Sequence, residues 1–123
     1  MSLTLDDNPA IYQIRAYQPG SIQINEHILQ KSVIVMANQL ITDWTPQTFT
    51  ELTSATLAIV FNLRPDILLI GTGSTLQFPP ASVYGELINA GIGVEIMDTH
   101  AACRTYNALT AENRNVAAAL IIK

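Results

Sequence analysis

Cysteine is almost absent: Cys103 is the only one in 123 residues, so no intramolecular disulfide and no cysteine-built metal cage can form. The two histidines, His27 and His100, are too few and too far apart in the chain to argue for a metal centre. Basic charge is also scarce. Six Lys and Arg stand against ten Asp and Glu, giving a net charge of -4, and no charge run exceeds Asp6-Asp7. A protein that grips nucleic-acid phosphates needs a basic stripe, so nucleic acid is not an expected partner. No apolar run approaches the roughly 18 residues of a membrane-spanning helix, and the opening MSLTLDDNPAIYQ has no basic stretch leading into an apolar one. Neither export nor membrane insertion is expected, and a lone cysteine agrees with a reducing cytoplasm. Internal repeats and low-complexity tracts are lacking too.

What is present is apolar: hydrophobic residues make up 49% of the chain and charged ones 13%. A chain of this length buries roughly two-thirds of its unfolded surface, enough for one core. We expect a single domain over residues 12–123 behind an N-terminal segment of residues 1–11. Tyr12, Ile14 and Ala16 alternate with Gln13, Arg15 and Tyr17. Ile22 and Ile24 alternate with Gln23 and Asn25 after Pro19-Gly20. This is the pattern of a hairpin with one wet face and a type II turn. The unbroken run SVIVMA, residues 32–37, predicts a strand covered on both faces, which residues 40–44 continue or pair with. Helical spacing follows over residues 48–51 and 54–62, with Ser54 as a potential N-cap, until Arg64-Pro65-Asp66 ends it. From there the order is strand (67–70), glycine loop, helix (81–90, closing on Gly91), strand (93–97), helix (100–111, capped by Asp98-Thr99) and strand (116–122). An antiparallel first half joined to a β-α-β-α-β second half predicts an α/β fold with a mixed sheet.

The loop in LLIGTGSTLQFPP invites comparison with phosphate cradles. Strand, Gly71-x-Gly73, helix, strand and Asp98 follow the order of a dinucleotide-binding unit. Leu76 replaces the third glycine, however, and Pro79-Pro80 displaces the helix N-terminus that would face a pyrophosphate. No Gly-Lys-Ser/Thr follows, which excludes a Walker A loop. A sharp turn off a buried strand is the favoured reading, and no cofactor is expected.

Downstream, Asp98, Thr99, His100, Cys103, Arg104 and Asn107 crowd one helix start. His100 and Cys103 are surface neighbours on a helix, so a Cys/His nucleophile is conceivable. Ala102, Cys103, Tyr106 and Leu109 recur at helical spacing, however, which favours Cys103 as a small buried hydrophobe. Arg104, Asn107, Glu112 and Arg114 could form a salt-bridged corner, the favoured alternative, or an anion site built on the planar arginine fork.

"DILLIGTGSTLQFPP" and "GVEIMDTHAACRTYNALTAENRNVAAALI" resemble the family of small α/β domains that includes mitochondrial complex I assembly factor three and the adipogenesis-associated domain protein of animals. The resemblance covers Tyr12 to Ile122. It implies a three-layer fold, with a central mixed sheet, packed helices and a small additional antiparallel sheet. Its signature falls on Gly71, Thr72, Gly73, Asp98, Thr99, Arg104, Asn107, Glu112 and Arg114, without a catalytic assignment. The resemblance and the lack of a complete catalytic motif imply a non-enzymatic role with a protein partner. The alternative is a small-molecule pocket, for an anion or cofactor, between Gly71–Gly73 and Asp98–Asn107. Trp44 and Phe78, if exposed, are candidate contacts for a homo-oligomer.

Overall fold

The structure, a computed structural model, describes residues 8–123. A three-stranded antiparallel sheet comes first: β1 (Ile14–Gln18), β2 (Ser21–Ile24) and β3 (His27–Leu29), in the order β1-β2-β3. β4 (Val33–Met36) and β5 (Leu40–Ile41) start a second sheet. It is completed by β6 (Ile67–Gly71), β7 (Gly93–Met97) and β8 (Val116–Leu120), in the order β5-β4-β8-β6-β7. β4 runs antiparallel to β5 and β8, whereas β6 is parallel to both β7 and β8, so the sheet is mixed, as expected. The helices are α1 (Ile59–Leu63), α2 (Gly85–Asn89) and α3 (Thr99–Ala111).

The central strands are apolar without interruption because both faces of their sheet are covered. Val33, Val35, Leu69, Val116, Ala118 and Leu120 point into one core, with Ile14, Ile22 and Ile24 of the small sheet and Ala102, Cys103 and Tyr106 of α3. Ile34, Met36, Leu68, Ile70, Ala117 and Ala119 point into the other, with Trp44, Leu57, Val60 of α1 and Leu87 of α2. β6 connects through α2 to β7, and β7 connects back through α3 to β8 on the far side of β6. Right-handed crossovers in opposite directions require α2 and α3 to lie on opposite faces, where the two cores place them.

The structure corrects the sequence reading in several places. The helix expected over 54–62 is reduced to Ile59–Leu63, with Ala58 at its N-cap position and turns over residues 54–58. Thr53 and Thr56 exchange side-chain-to-backbone hydrogen bonds there, and such local bonds compete with helix. The helix expected over 81–90 is a 3-10 turn, Ala81–Val83, followed by the short α2. β3 was not anticipated, since two of its three residues are exposed and its pattern is too short to read. Trp44 is 5% exposed, with its indole N–H donating to the Thr56 carbonyl at 2.7 Å, so it is not a surface contact. Phe78 is 71% exposed.

The most consequential difference lies in β1. Strict alternation would turn Ile14 and Ala16 inward and Tyr17 outward. Instead the ladder pairs Ile14 with Ile24 and Tyr17 with Ile22, and its register shifts between Ile14 and Ala16. Arg15 is the extra residue of a β-bulge, which reverses the alternation beyond it. Arg15 and Ala16 are both exposed, and Tyr17 is half-buried, its hydroxyl donating to the Ile122 carbonyl at 2.9 Å. Pro19-Gly20 then makes the hairpin turn, with Gly20 at φ 91° as a type II turn requires.

Candidate functional site

Gly71, Thr72 and Gly73 leave the C-terminal end of β6, where the crevice of an open α/β sheet is found. Here that crevice is closed by a buried joint. The Thr99 hydroxyl, at the first position of α3, accepts from the Gly73 N–H at 2.8 Å and donates to the Ile121 carbonyl at 2.6 Å. The Thr99 N–H donates to the Gly73 carbonyl at 2.9 Å, and the Ser74 N–H to the Lys123 carbonyl at 3.2 Å. The Thr72 N–H is taken by the Met97 carbonyl, and the Gln77 N–H by the Thr72 hydroxyl. A phosphate cradle needs backbone N–H groups aimed at empty space. In this loop the N–H groups of residues 72, 73, 74 and 77 all hold protein atoms.

The glycines are required by close approach of other parts of the chain. A Cβ on Gly71 would lie 2.9 Å from both the Leu120 Cδ2 and the Thr99 Oγ1. Gly73, at φ 105°, has the Lys123 carbonyl oxygen where its Cβ would be, at 2.6 Å. The loop then emerges: residues 74–78 are exposed, and Leu76 and Phe78 present apolar side chains to solvent.

Asp98 caps α3, its carboxylate accepting from the Ala101 N–H at 2.9 Å. This satisfies one of the helix's orphan donors. Asn107 has an architectural task that spacing did not reveal. Its amide accepts from the Ile14 N–H at 3.1 Å and donates to the Ile14 carbonyl at 2.6 Å, as a neighbouring strand would. The edge of β1 is thereby tied to α3. The N-terminal segment expected before Tyr12 docks through its last residues, the Asn8 side chain donating to the Thr110 hydroxyl and the Asn107 carbonyl. Glu112 and Arg114 are exposed at the α3–β8 corner, which is held by backbone bonds from residues 112, 113 and 114 to Leu109 and Thr110.

The nine expected site residues therefore divide into three places. Gly71, Thr72, Gly73, Asp98 and Thr99 meet at the joint. Arg104 and Asn107 face β1 across a shallow groove of about 150 Å³, together with Arg15, His100 and Cys103. Glu112 and Arg114 stand apart at the corner. Arg15 escaped the sequence reading because, in an unbroken strand, it would be one more residue on a wet face. The only sequence trace of the bulge is that Ile14 and Tyr17, both large and both needed inside, are three apart.

Cys103 is 4% exposed and packs in the core beside Tyr106. Burial, and secondarily the nearby Asp98 carboxylate, push its thiol up to about 12. This is opposite in direction to what a nucleophile with His100 would need. Burial also raises Tyr106, and burial with the charges of Cys103 and Asp98 raises Tyr17. We expect iodoacetamide at pH 8 to modify Cys103 only as fast as unfolding exposes it, measured by mass spectrometry against a urea-unfolded control. Rapid labelling of the native protein would contradict this burial. Because the folded thiol holds its proton more tightly than the unfolded one, the associated stability is complete below pH 9. It is lost as pH rises from 9 through about 12.

A family model described as "Protein of unknown function (DUF498/DUF598)" matches residues 14–121. A Danio rerio protein named NADH dehydrogenase [ubiquinone] 1 alpha subcomplex assembly factor 3 is 33% identical over 110 residues, covering 88% of this chain and 63% of its own. A Francisella tularensis protein named 13 kDa major membrane protein is 40% identical over 65 residues, 53% of each chain. The chain thus spans between half and two-thirds of the length of these relatives. An NMR structure from Xanthomonas campestris superimposes with a TM-score of 0.82 at 40% identity, covering 90% of this chain and 84% of that one. The resemblance carried by the glycine loop and the α3 motif holds: the chain belongs to the DUF498/DUF598 family, whose relatives include the respiratory complex I assembly factor.

Proposed function

We propose that this chain is a non-enzymatic protein-interaction domain with an assembly-factor-like role, acting in the cytoplasm. The observation that carries the reading is the alignment of the Danio rerio assembly factor with 88% of the chain. The molecule's surface supports it. Leu76 and Ile88 are each 50% exposed and Phe78 71%, on the signature loop and on α2, the helix to which it leads. Leu76 and Phe78, two residues apart on one exposed loop, offer apolar anchors that another protein can cover. In this reading the buried joint of Gly71, Gly73 and Thr99 is the rigid base that presents Leu76 and Phe78. Among the described residues no helix is long and apolar enough to cross a membrane.

Affinity capture from the native cell with the Leu76→Ser/Phe78→Ser double variant provides the test. A partner recovered reproducibly by the wild type should be lost with the variant, while circular dichroism and thermal stability stay within the usual range for surface changes, about 0.5 kcal/mol. Recovery of the same partners by both proteins, or of no partner by either, would defeat the proposal. Size-exclusion chromatography of the same pair tests a second copy of this chain as the partner.

A further inference from the structure

The groove between β1 and α3 has a charge character that the whole molecule does not. The chain is acidic, with only six Lys and Arg and two His. Arg15 and Arg104, from the two elements, and His100 nevertheless line this one groove, and no Asp or Glu lines it. All three side chains are exposed. The β1 bulge leaves Ala16 facing outward beside Arg15 and so puts a small residue in the groove's lining.

We propose that this groove is a binding site for a compact oxyanion, of the size of inorganic phosphate or a short dicarboxylic acid, held by the Arg15 and Arg104 guanidinium groups. Guanidinium forks match carboxylate and phosphate oxygens in pairs, and the two arginines line this groove from different elements, β1 and α3. The groove, at about 150 Å³, has room for a compact ligand. The floor does not oppose an anion, since the Cys103 thiol stays protonated far above neutral pH. The Asn107 amide is committed to Ile14 and contributes position rather than donors. Asp98, close enough to raise the Cys103 thiol, offsets part of the positive field, as does the open solvent at the groove's mouth. Affinity is therefore in the millimolar range and falls with added salt. This site is independent of the partner surface at Leu76 and Phe78.

The test is a titration of the 15N-labelled chain with sodium phosphate, and separately with sodium malonate, at fixed pH and constant ionic strength. Saturable shifts confined to the amides of residues 14–17 and 100–104 are expected with at least one probe. Arg15→Gln and Arg104→Gln should each weaken binding by about two- to five-fold, the size of one exposed charge pair. Lys31→Gln, which removes an exposed charge elsewhere, should leave affinity unchanged. Malonate alone, phosphate alone or both saturating identifies which oxyanion class the groove takes. Shifts that do not saturate with either probe, that scatter over the surface, or that persist with equal affinity in both arginine variants would overturn the proposal.

Discussion

Thr99→Val is expected to destabilise the fold by about 2–5 kcal/mol, although it keeps the branching of the side chain. The Thr99 hydroxyl is fully buried and makes two hydrogen bonds, one from the Gly73 N–H and one to the Ile121 carbonyl. A methyl in its place leaves a buried donor and a buried acceptor without partners, and each such group costs about 1–3 kcal/mol. Thr99→Ser keeps the hydroxyl and gives up one methyl, so it should lose only about 1 kcal/mol. Urea unfolding of the three proteins decides the matter. If valine and serine cost the same, the loss belongs to packing, and the joint is not what ties β6, α3 and β8 together.

The second large effect is expected at Gly73. Alanine there meets two penalties: a left-handed backbone at φ 105°, and a Cβ placed 2.6 Å from the Lys123 carbonyl oxygen. The first costs about 1–2 kcal/mol. The second forces a backbone shift, of the order of 1–3 kcal/mol. Gly91 separates the two, because it has φ 88° but nothing within 4 Å of its Cβ position. Gly91→Ala should therefore lose about 1–2 kcal/mol and Gly73→Ala about 2–5 kcal/mol. Equal midpoint shifts in urea would mean that the chain end yields without cost and that the glycine is needed for its dihedral angles alone. In Gly73→Ala the amides of Thr99 and Ser74 should also exchange with solvent faster, as both N–H groups are bonded across this joint.

These two effects explain why the resemblance of LLIGTGSTLQFPP to a phosphate loop is one of spelling. In a nucleotide fold the glycines let the backbone approach a ligand. Here they let it approach residues 120–123, and the threonine opening α3 fills the position between them. The same chemistry that would hold a phosphate, N–H groups at the end of a buried strand, is satisfied by Thr99, Met97 and Lys123.

The central sheet was legible in the sequence, because apolar runs too short for a helix, bounded by turn signals, are read as strands covered on both faces. This holds for the VIVM, LLI and AAAL runs alike. The sequence also determined α3, where Asp98 supplies the cap and Ala102, Cys103 and Tyr106 the buried stripe. The outward polar positions of the small hairpin were legible as far as Ile14. The rest of β1 followed from packing alone, since a bulge inserts one residue without any composition of its own and reverses the strand's later side chains. The fate of Ser54 to Ala58 was settled locally, where Thr53 and Thr56 side chains bonding to nearby backbone outcompeted a helical pattern. The site residues divide by the same logic. That Gly71, Gly73, Asp98 and Thr99 belong together could be read from strand ends and caps, which are local. That Asn107 stands in as a strand beside Ile14, and that Arg15 joins Arg104 across one groove, depends on contacts between residues more than 85 apart, which no local pattern encodes.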